Sequence, residues 1–466
     1  MNEPIERGTR MQRRQFIKSV AAAGTGWVIL PSGTRAGQNA PSSKLNIALI
    51  GVWGRGLAFY STLSSENVAA LCDINDNRLA EALKTFPNAK TYWDWRKCLD
   101  QKGLDSVVIC TADHHHAFIA NWGINRGLHV FCEKPLGISV EEVRTVRANY
   151  LKNKNRVATQ HGTQRHAYPN FERVRELILD GAIGELKSVS AWDSRQNSRP
   201  GYPPGEGEPP PYLHYDQWIG PSPFHPYNPE YFSAPNPGAN CLKWNPYSDF
   251  GVGQMGDMGA HTMDLVWNAI DAGAPISAEA NGDKFNPEVC PVQLEATFEQ
   301  PANNWHPAIK LVWYQGGLKP KAPRGFIDLT KIGNGAIFEG TKGFILADFR
   351  SRIIIPSDDD GDLTYYRRRS SEQLLPLVAG VGAGAGRSLD QVFQREWIDA
   401  CKGSSKKTSC DFDYAGTMME QMILGLVAHR AGQKLQYDPA VGRVTNAGEA
   451  NEYLSRKYRP GWTLNG

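Results

Sequence analysis

Chemistry enters this sequence where a short apolar run, His129-Val130-Phe131-Cys132, leads straight into Glu133-Lys134-Pro135. The run is β-prone and reads as a buried parallel strand. Its C-terminal end lies on the rim where α/β folds bind ligands, so an acid and a base are delivered there. A lysine held partly out of water at such a rim is expected to have its pKa lowered toward working pH and to exchange protons. Taken alone, the triplet reads rather as a solvated loop lysine before a helix-starting proline, and it is the rest of the sequence that reverses this. The Lys134–Pro135 bond is a candidate cis peptide, because it makes a tight turn off a strand end.

A second pair of reactive side chains lies in Gly251 to Ala269, a stretch that starts glycine-rich and becomes a helix. Asp257 and His261 are four apart and so share one helical face, about a turn from each other. A carboxylate so placed raises and orients the basicity of the imidazole. Asp264 extends the same face as a structural residue. If these groups serve one site, Lys134, Asp257 and His261 surround one cleft, with Lys134 and His261 near a shared substrate hydroxyl.

Two further stretches suggest a ligand. Leu45 to Gly51 is an apolar strand that ends in Gly51-Val52-Trp53-Gly54-Arg55-Gly56; a helix follows to about Ser64, then a strand from Val68 to Cys72 ending at Asp73. Strand, glycine turn, helix, strand and acid form the dinucleotide-binding fingerprint. Backbone amides and a helix N-terminus face the pyrophosphate. Asp73 accepts from the adenosine ribose and repels a 2′-phosphate, which favours NAD over NADP. Trp53 departs from the pattern by standing at the second glycine, so either Gly54 takes over that role or cofactor binding is weakened. Thr111-Ala112-Asp113-His114-His115-His116 closes the strand Ser106–Cys110 and opens a helix. Adjacent side chains on a helix start point in different directions, so no metal site is expected from the three histidines. His116 is expected to face the nicotinamide, while His114 and His115 cap or solvate. The expected cofactor-binding set is Gly51, Trp53, Gly54, Arg55, Gly56, Asp73, Thr111, His116, Glu133 and Lys134.

The elements that must carry these residues follow a βα rhythm. Helices are expected near Asn77–Thr85, Ala117–Arg126 and Ser139–Asn153, and strands at Lys90–Tyr92 and Arg156–Gln160. From Gln160-His161-Gly162-Thr163-Gln164-Arg165 onward the character changes. A helix over Phe171–Gly181 and a strand over Leu186–Trp192 precede a proline- and glycine-rich insertion and an aromatic segment from Tyr212 to Tyr231. Residues 275 to 355 alternate as antiparallel strands do, at Val292–Glu299, Ile309–Tyr314, Gly335–Glu339 and Gly343–Phe349, which implies an open sheet with one covered face. Ser357 to Arg387 reads as charged surface. Ser388–Cys401 and Gly416–Gly432 read as helices packed on that sheet. The fold class is therefore α/β, with a dinucleotide-binding domain over 45–161 and a substrate-binding, catalytic domain with an open, mostly antiparallel sheet over 162–466.

Residues 1–44 stand apart. Arg13-Arg14, the apolar residues after them, Lys18 and a modest apolar run from Val20 to Leu30 resemble a twin-arginine export signal. The run is about half the length a membrane span needs. A formal net charge of +3 over 466 residues gives no case for nucleic acid or anionic membrane as partner. Eight cysteines with no Cys-x-x-Cys pair argue against a zinc ribbon or redox dithiol. In an exported chain their even number permits a disulfide, with Cys401 and Cys410 the nearest candidates.

From Leu45 to Leu464 the chain resembles the Gfo/Idh/MocA family, named for glucose–fructose oxidoreductase and inositol dehydrogenase. The resemblance rests on the glycine turn, the Thr111–His116 corner, Glu133-Lys134-Pro135, Gln160–Arg165 and Asp257-x-x-x-His261. Arg459-Pro460-Gly461-Trp462 looks like the exported branch of the family. The resemblance implies a Rossmann domain, a second α/β domain, NAD(P) and a sugar or polyol between them. It makes Lys134, Asp257 and His261 the catalytic set, with His261 the base and Lys134 polarising the same oxygen. Ala112 stands where the family usually has proline. The expected activity is an NAD-dependent oxidoreductase on the CH–OH groups of a sugar, polyol or glycoside, or a redox-neutral relative with retained NAD. The alternatives are a glycosidase-like enzyme of the same fold and a non-catalytic exported sugar-binding protein. The expected partners are a small carbohydrate and further copies of the chain.

Overall fold

The computed structural model describes residues 44–325, 327–357, 388–404 and 407–465. Residues 1–43, with the candidate export signal, and residues 358–387, most of the expected charged surface stretch, lie outside the described residues.

Strands β1 (Asn46–Ile50), β2 (Asn67–Cys72), β3 (Lys90–Tyr92), β4 (Ser106–Ile109), β5 (His129–Cys132) and β6 (Thr159–His161) form an all-parallel sheet. Their order is β3-β2-β1-β4-β5-β6. Both faces are covered, so β1 and β4 bury consecutive residues rather than alternate ones. The order reverses between β1 and β4, and a crevice forms outside their carboxyl ends. The glycine turn after β1 and the Thr111 corner after β4 both open on it. Asn75 and Ser139 cap the helices Asp76–Thr85 and Val140–Asn153 by accepting backbone N–H groups of the first turn. The last strand lies later than Arg156–Gln160, because the N–H groups of Arg156 and Val157 bond Asn153 O and close the preceding helix.

The second sheet has nine strands: β7 (Leu186–Asp193), β8 (Ser277–Gly282), β9 (Leu294–Gln300), β10 (Ile309–Gln315), β11 (Asn334–Gly340), β12 (Gly343–Ala347), β13 (Arg352–Pro356), β14 (Leu435–Asp438) and β15 (Arg443–Val444). They run in the order β13-β12-β11-β7-β10-β9-β8-β14-β15. Every neighbouring pair is antiparallel except β7 with β10, a parallel pair at the centre. In β9, buried Leu294, Ala296, Phe298 and Gln300 alternate with partly open residues, the pattern of a sheet with one face more deeply covered.

The two C-terminal helices go to different places. Phe412–Ala431 starts four residues earlier than Gly416, because Asp411 caps it by accepting from Asp413 N and Tyr414 N. It packs closely on the second sheet and on the first domain: a Cβ on Gly425 would fall 2.9 Å from Phe298, and one on Gly416 2.9 Å from Arg147. Leu389–Cys401 does not pack on the second sheet. Its Phe393, Trp397 and Ile398 join the apolar cluster of Leu49, Val108 and Phe131 under the first sheet. Polar contacts fix it there: Thr62 Oγ1 donates to Gln394 Oε1 at 2.6 Å, and Glu66 Oε1 accepts from Lys402 at 2.8 Å and Arg395 at 3.2 Å. Cys401 and Cys410 are buried free thiols, as all eight cysteines are free, so the candidate disulfide is not formed. No helix among the described residues is long and apolar enough to cross a membrane.

Glu66 also accepts Leu45 N at 3.0 Å, so one buried carboxylate ties the returning helix to the start of β1. Burial pushes its pKa up, but Lys402, the Leu45 N–H and Arg395 outweigh that and hold it below the ordinary range. A carboxylate depressed in the folded state adds stability above its unfolded pKa and loses it as pH falls through the folded value. Glu66→Ala should therefore destabilise the protein at pH 7, by less than the ~3–5 kcal/mol of a fully buried pair because Arg395 and Lys402 are partly exposed. The cost should shrink at pH 3; paired thermal melts of the two proteins at both pH values measure it.

Candidate active site

The Lys134–Pro135 bond is cis. It turns the chain off the end of β5 and leaves Lys134 facing the segment before Met258–Ile270. That helix is preceded by a single turn, Gly253–Gly256, and Asp257 stands at the break between them with φ −86° and ψ −95°. Gly256 makes the approach possible: a Cβ there would sit 3.2 Å from the Pro135 ring and 2.3 Å from Val252. Asp257 therefore does not share a regular helical turn with His261, and it does not cap the helix. One carboxylate oxygen takes Lys134 Nζ and the other takes Arg195 Nη1, from the segment that follows β7.

This pairing sets the protonation states. Burial alone would pull Lys134 down, but Asp257, with Cys241 and Asp113, leaves it above the ordinary lysine range. The expected lowering of Lys134 is overturned, because the buried carboxylate beside it favours the ammonium more than desolvation disfavours it. Burial pushes Asp257 up, and Lys134 and Arg195 bring it down to a net value below the ordinary range.

His261 lies one turn into the helix and is buried, with its ring edge on Phe349 at 6.5 Å between centroids. Its Nδ1 has no partner. Burial and then the charges of Lys134, Arg165 and Arg55 hold its pKa well below the ordinary value. The expected raising by Asp257 fails, since both oxygens of that carboxylate are committed to cations. His261 is a neutral imidazole with a free nitrogen.

On the other flank, Gly51 (φ +85°) and Gly54 (φ +63°) carry the left-handed positions of the turn. A Cβ on Gly56 would lie 2.1 Å from Gly51 O, so this glycine is required by close packing. Trp53 is extended, at φ −114°, and tolerates a side chain. The special conformation has moved one residue on, to Gly54. A cleft of about 140 Å³ opens here, lined by Gly51, Trp53, Asp73, Arg78, Thr111 and Trp218 among others. Trp53 is covered by the Arg78 guanidinium at 4.2 Å. Asp73 accepts Val52 N at 2.9 Å and Asn75 N at 3.0 Å, and burial raises its pKa to about 6. Ala112 has φ −68°, an angle that a proline ring would also impose.

Several expected cofactor residues are committed to structure. Arg55 donates to Glu133 Oε1 and to Asp390 Oδ2, both at 2.9 Å. Glu133 lies against Gly162, where a Cβ would be 2.4 Å from Oε2. His116 does not turn its ring to the cleft; Nδ1 meets Pro135 O at 2.6 Å and Nε2 meets Thr111 O at 3.0 Å. Burial lowers it to about 4, so the ring is neutral and has one N–H to donate, to Pro135 O or to Thr111 O. His114 and His115 are not solvated but buried, and both reach Trp218 O, at 2.7 and 2.9 Å. Trp95 Nε1 donates to His115 Nδ1 at 3.2 Å, so His115 Nε2 carries the proton given to Trp218. Asp264 is structural as expected: it bonds His166 Nδ1 at 2.9 Å and accepts from the Tyr414 hydroxyl at 2.6 Å.

Sequence reasoning misses Arg195, Asp113 and Cys241. Asp113 is buried, and desolvation raises its carboxyl well above the ordinary range despite the Lys134 charge. Cys241, on the turn Pro237–Lys243, carries a thiol raised to about 12, first by burial. Neither Arg195 nor Cys241 belongs to a motif; only the fold brings them to Lys134.

With this geometry in hand, comparison with known proteins is direct. Residues 45–161 match the family model of an oxidoreductase-family NAD-binding Rossmann fold, and residues 200–302 match that of the family's C-terminal alpha/beta domain. Inositol 2-dehydrogenase of Salmonella typhimurium is 30% identical over 143 residues, covering 30% of this chain and 42% of that one. A glycosyl hydrolase family 109 protein of Stenotrophomonas maltophilia is 34% identical over 148 residues, 28% of this chain and 31% of that one. The match thus spans less than half the length of either curated relative. The crystal structure of the WlbA dehydrogenase of Bordetella pertussis, in complex with NADH and UDP-GlcNAcA, superposes with a TM-score of 0.57 at 14% identity. It covers 84% of this chain and 97% of that one, which establishes a shared fold.

Histidine-labelled protein should show a His261 ring that stays neutral from pH 8 to pH 5 by its NMR chemical shifts. Lys134→Met, which removes the second-largest depressing influence, should move its titration upward. A ring that protonates near pH 6.5 in the unaltered protein contradicts the site described above.

Proposed function

Because the chain belongs to the Gfo/Idh/MocA oxidoreductase family, we propose that it is an NAD-dependent oxidoreductase acting on a CH–OH group of a sugar, polyol or glycoside. The observation that carries this reading is the pairing of a charged Lys134, held by Asp257, with a neutral, unpartnered His261. That is the donor–acceptor pair a hydroxyl needs when it loses its proton. The dinucleotide fits the cleft after β1: glycine backbone at its floor, apolar walls, and Asp73 at its end to receive ribose hydroxyls. When bound, its nicotinamide supplies the hydride acceptor and, once reduced, the donor. Lys134 donates to the substrate oxygen and stabilises the negative charge that grows there, and His261 takes the hydroxyl proton. Asp257 and Arg195 hold the ammonium in place and charged. Lys134, Asp257 and His261 are the proposed catalytic residues. Gly51, Gly54, Gly56, Asp73 and Thr111 are the proposed cofactor contacts, and Arg55, Glu133 and His116 hold their walls.

A second reading, redox-neutral turnover on retained NAD, is favoured by what covers the cleft. Asn240, from Pro237–Lys243, lies so close to the glycine turn that a Cβ on Gly54 would be 3.3 Å from its Nδ2. Trp218, Phe232 and Trp244 close the same cleft from the insertion. A cofactor so enclosed leaves slowly. Similarity to a glycosyl hydrolase family 109 protein supports a glycosidase-like use of the same machinery. A non-catalytic sugar-binding protein has no need of the Lys134–Asp257–Arg195 arrangement. Assembly into a homo-oligomer belongs to this proposal, supported by β13, the end strand of the second sheet among the described residues, with Ile353 half exposed.

Export fits retention, because NAD is not replenished outside the cytoplasm and the twin-arginine route carries folded, loaded proteins. Exchanging Arg13 and Arg14 for lysines should keep the protein in the cytoplasm, as fractionation would show; undiminished export refutes the signal. Purified protein given glycosides and mixed sugars without added NAD should turn over many times per enzyme. Lys134→Ala and His261→Ala should each lower kcat by about 10²- to 10⁴-fold with the fold intact by circular dichroism. Activity that needs stoichiometric free NAD and accumulates NADH restores the simple dehydrogenase.

A further inference from the structure

Beside the catalytic set is a second, half-open pocket of about 270 Å³, walled by Gln164, Arg165, Asn334, Phe349, Arg350 and Asp390 among others. It shares a wall with the reacting groups, since Phe349 meets both the His261 ring and, at 4.3 Å, the Arg165 guanidinium. Asp390 belongs to Arg55, which it bonds at 2.9 Å. The other acid of the wall, Asp348, is held by its own turn, accepting Arg350 N at 2.7 Å and Ser351 N at 2.6 Å.

Arg165 is different. It is half-buried and stacked on an aromatic ring, and it has no carboxylate partner among the described residues. The nearby Asp257 already serves Lys134 and Arg195. Two buried polar atoms on the same walls also lack partners: Asn334 Nδ2, a donor, and Gln164 Oε1, an acceptor. A stacked guanidinium with a free edge, an unspent amide N–H and an unspent acceptor make a planar anion site with room for a hydroxylated body. Unpaired buried polar groups are costly, and a ligand that satisfies them recovers that cost.

From this arrangement, and resting on the oxidoreductase reading above, we infer that the substrate is an acidic sugar whose carboxylate seats on Arg165 and Asn334. A carboxylate fits better than a phosphate ester. Either group can pair with the guanidinium edge in two parallel bonds, so the difference lies in charge. The carboxylate carries a single charge: the wall sets two guanidiniums, Arg165 and Arg350, against two acids, Asp348 and Asp390, and so offers no surplus of positive charge for a phosphate dianion. The sugar ring then extends past Phe349 toward Lys134 and His261, with Gln164 Oε1 receiving a hydroxyl.

The test compares matched pairs on the full chain as purified: glucuronate with glucose, galacturonate with galactose, and gluconate with glucitol. Binding is followed by calorimetry and turnover by product formation, with glucose 6-phosphate and glucose 6-sulfate as further arms. At least one acidic member should exceed its neutral parent by 10-fold or more in kcat/KM and in affinity. In Arg165→Met that ratio should fall toward one, and Arg165→Lys should restore only part of it. Turnover of neutral sugars with a ratio that Arg165→Met leaves unchanged overturns the acidic-sugar inference and spares the oxidoreductase. Arg165-dependent binding of the acids without hydride transfer does the reverse. Preference for the phosphate or sulfate ester, or binding of none of the acids at 10 mM-scale concentrations, also overturns it.

Discussion

One carboxylate holds this molecule's chemistry together. Asp257 stands at the break before the second domain's helix, Lys134 at the end of the first sheet, and Arg195 just after strand β7. Two cations on one buried acid leave a net positive charge beside the proposed site of reaction. Removing the acid would strand both cations, and removing Lys134 would leave the acid to Arg195 alone. A buried ion pair of this kind is weak evidence for stability but strong for position. Its geometry also requires backbone that comes close: the cis Lys134–Pro135 bond and Gly256 are the local features that bring Asp257 to the ammonium.

The same logic of joining the halves recurs around that centre. The helix Leu389–Cys401 returns to the first sheet and Arg55 reaches it through Asp390. His114 and His115 fasten the Thr111 corner to Trp218 of the aromatic insertion. Arg456 spans Glu142 Oε1 at 2.6 Å and His114 O at 3.0 Å, so the C-terminal tail crosses the first domain. A cleft bounded this way opens only by breaking several buried contacts at once, which is why the covering segment bears on cofactor exchange.

What is legible in the sequence follows from what covers each element. Strands of the first sheet are buried on both faces and appear as unbroken apolar runs, so β1, β4 and β5 are plain. The second sheet gives alternation in β9 and β10, but the parallel β7–β10 pair depends on crossovers that leave no local trace. Short edge strands such as β14 and β15 are too brief to show a period. Lys134, Asp257 and His261 stand out by residue type and motif, yet their protonation states do not. Those depend on Arg195 and Arg165, which arrive from other elements. The three histidines mislead for the same reason: spacing alone cannot reveal that backbone carbonyls from distant segments wait for each ring.

The charges around His261 connect the two cavities. Its imidazole is depressed by burial and then by Lys134, Arg165 and Arg55. A base held that low accepts a proton poorly, however well it is placed. A substrate carboxylate on Arg165 offsets one of those cations, and an anion near an imidazole raises its pKa. Seating the acidic group therefore strengthens the base that the reacting hydroxyl needs, while Lys134 keeps its own counter-charge in Asp257. A neutral sugar leaves Arg165 uncompensated and His261 weak. The preference for an acidic substrate would then show in the proton-transfer step as well as in affinity, because one guanidinium both binds the substrate and tunes the base.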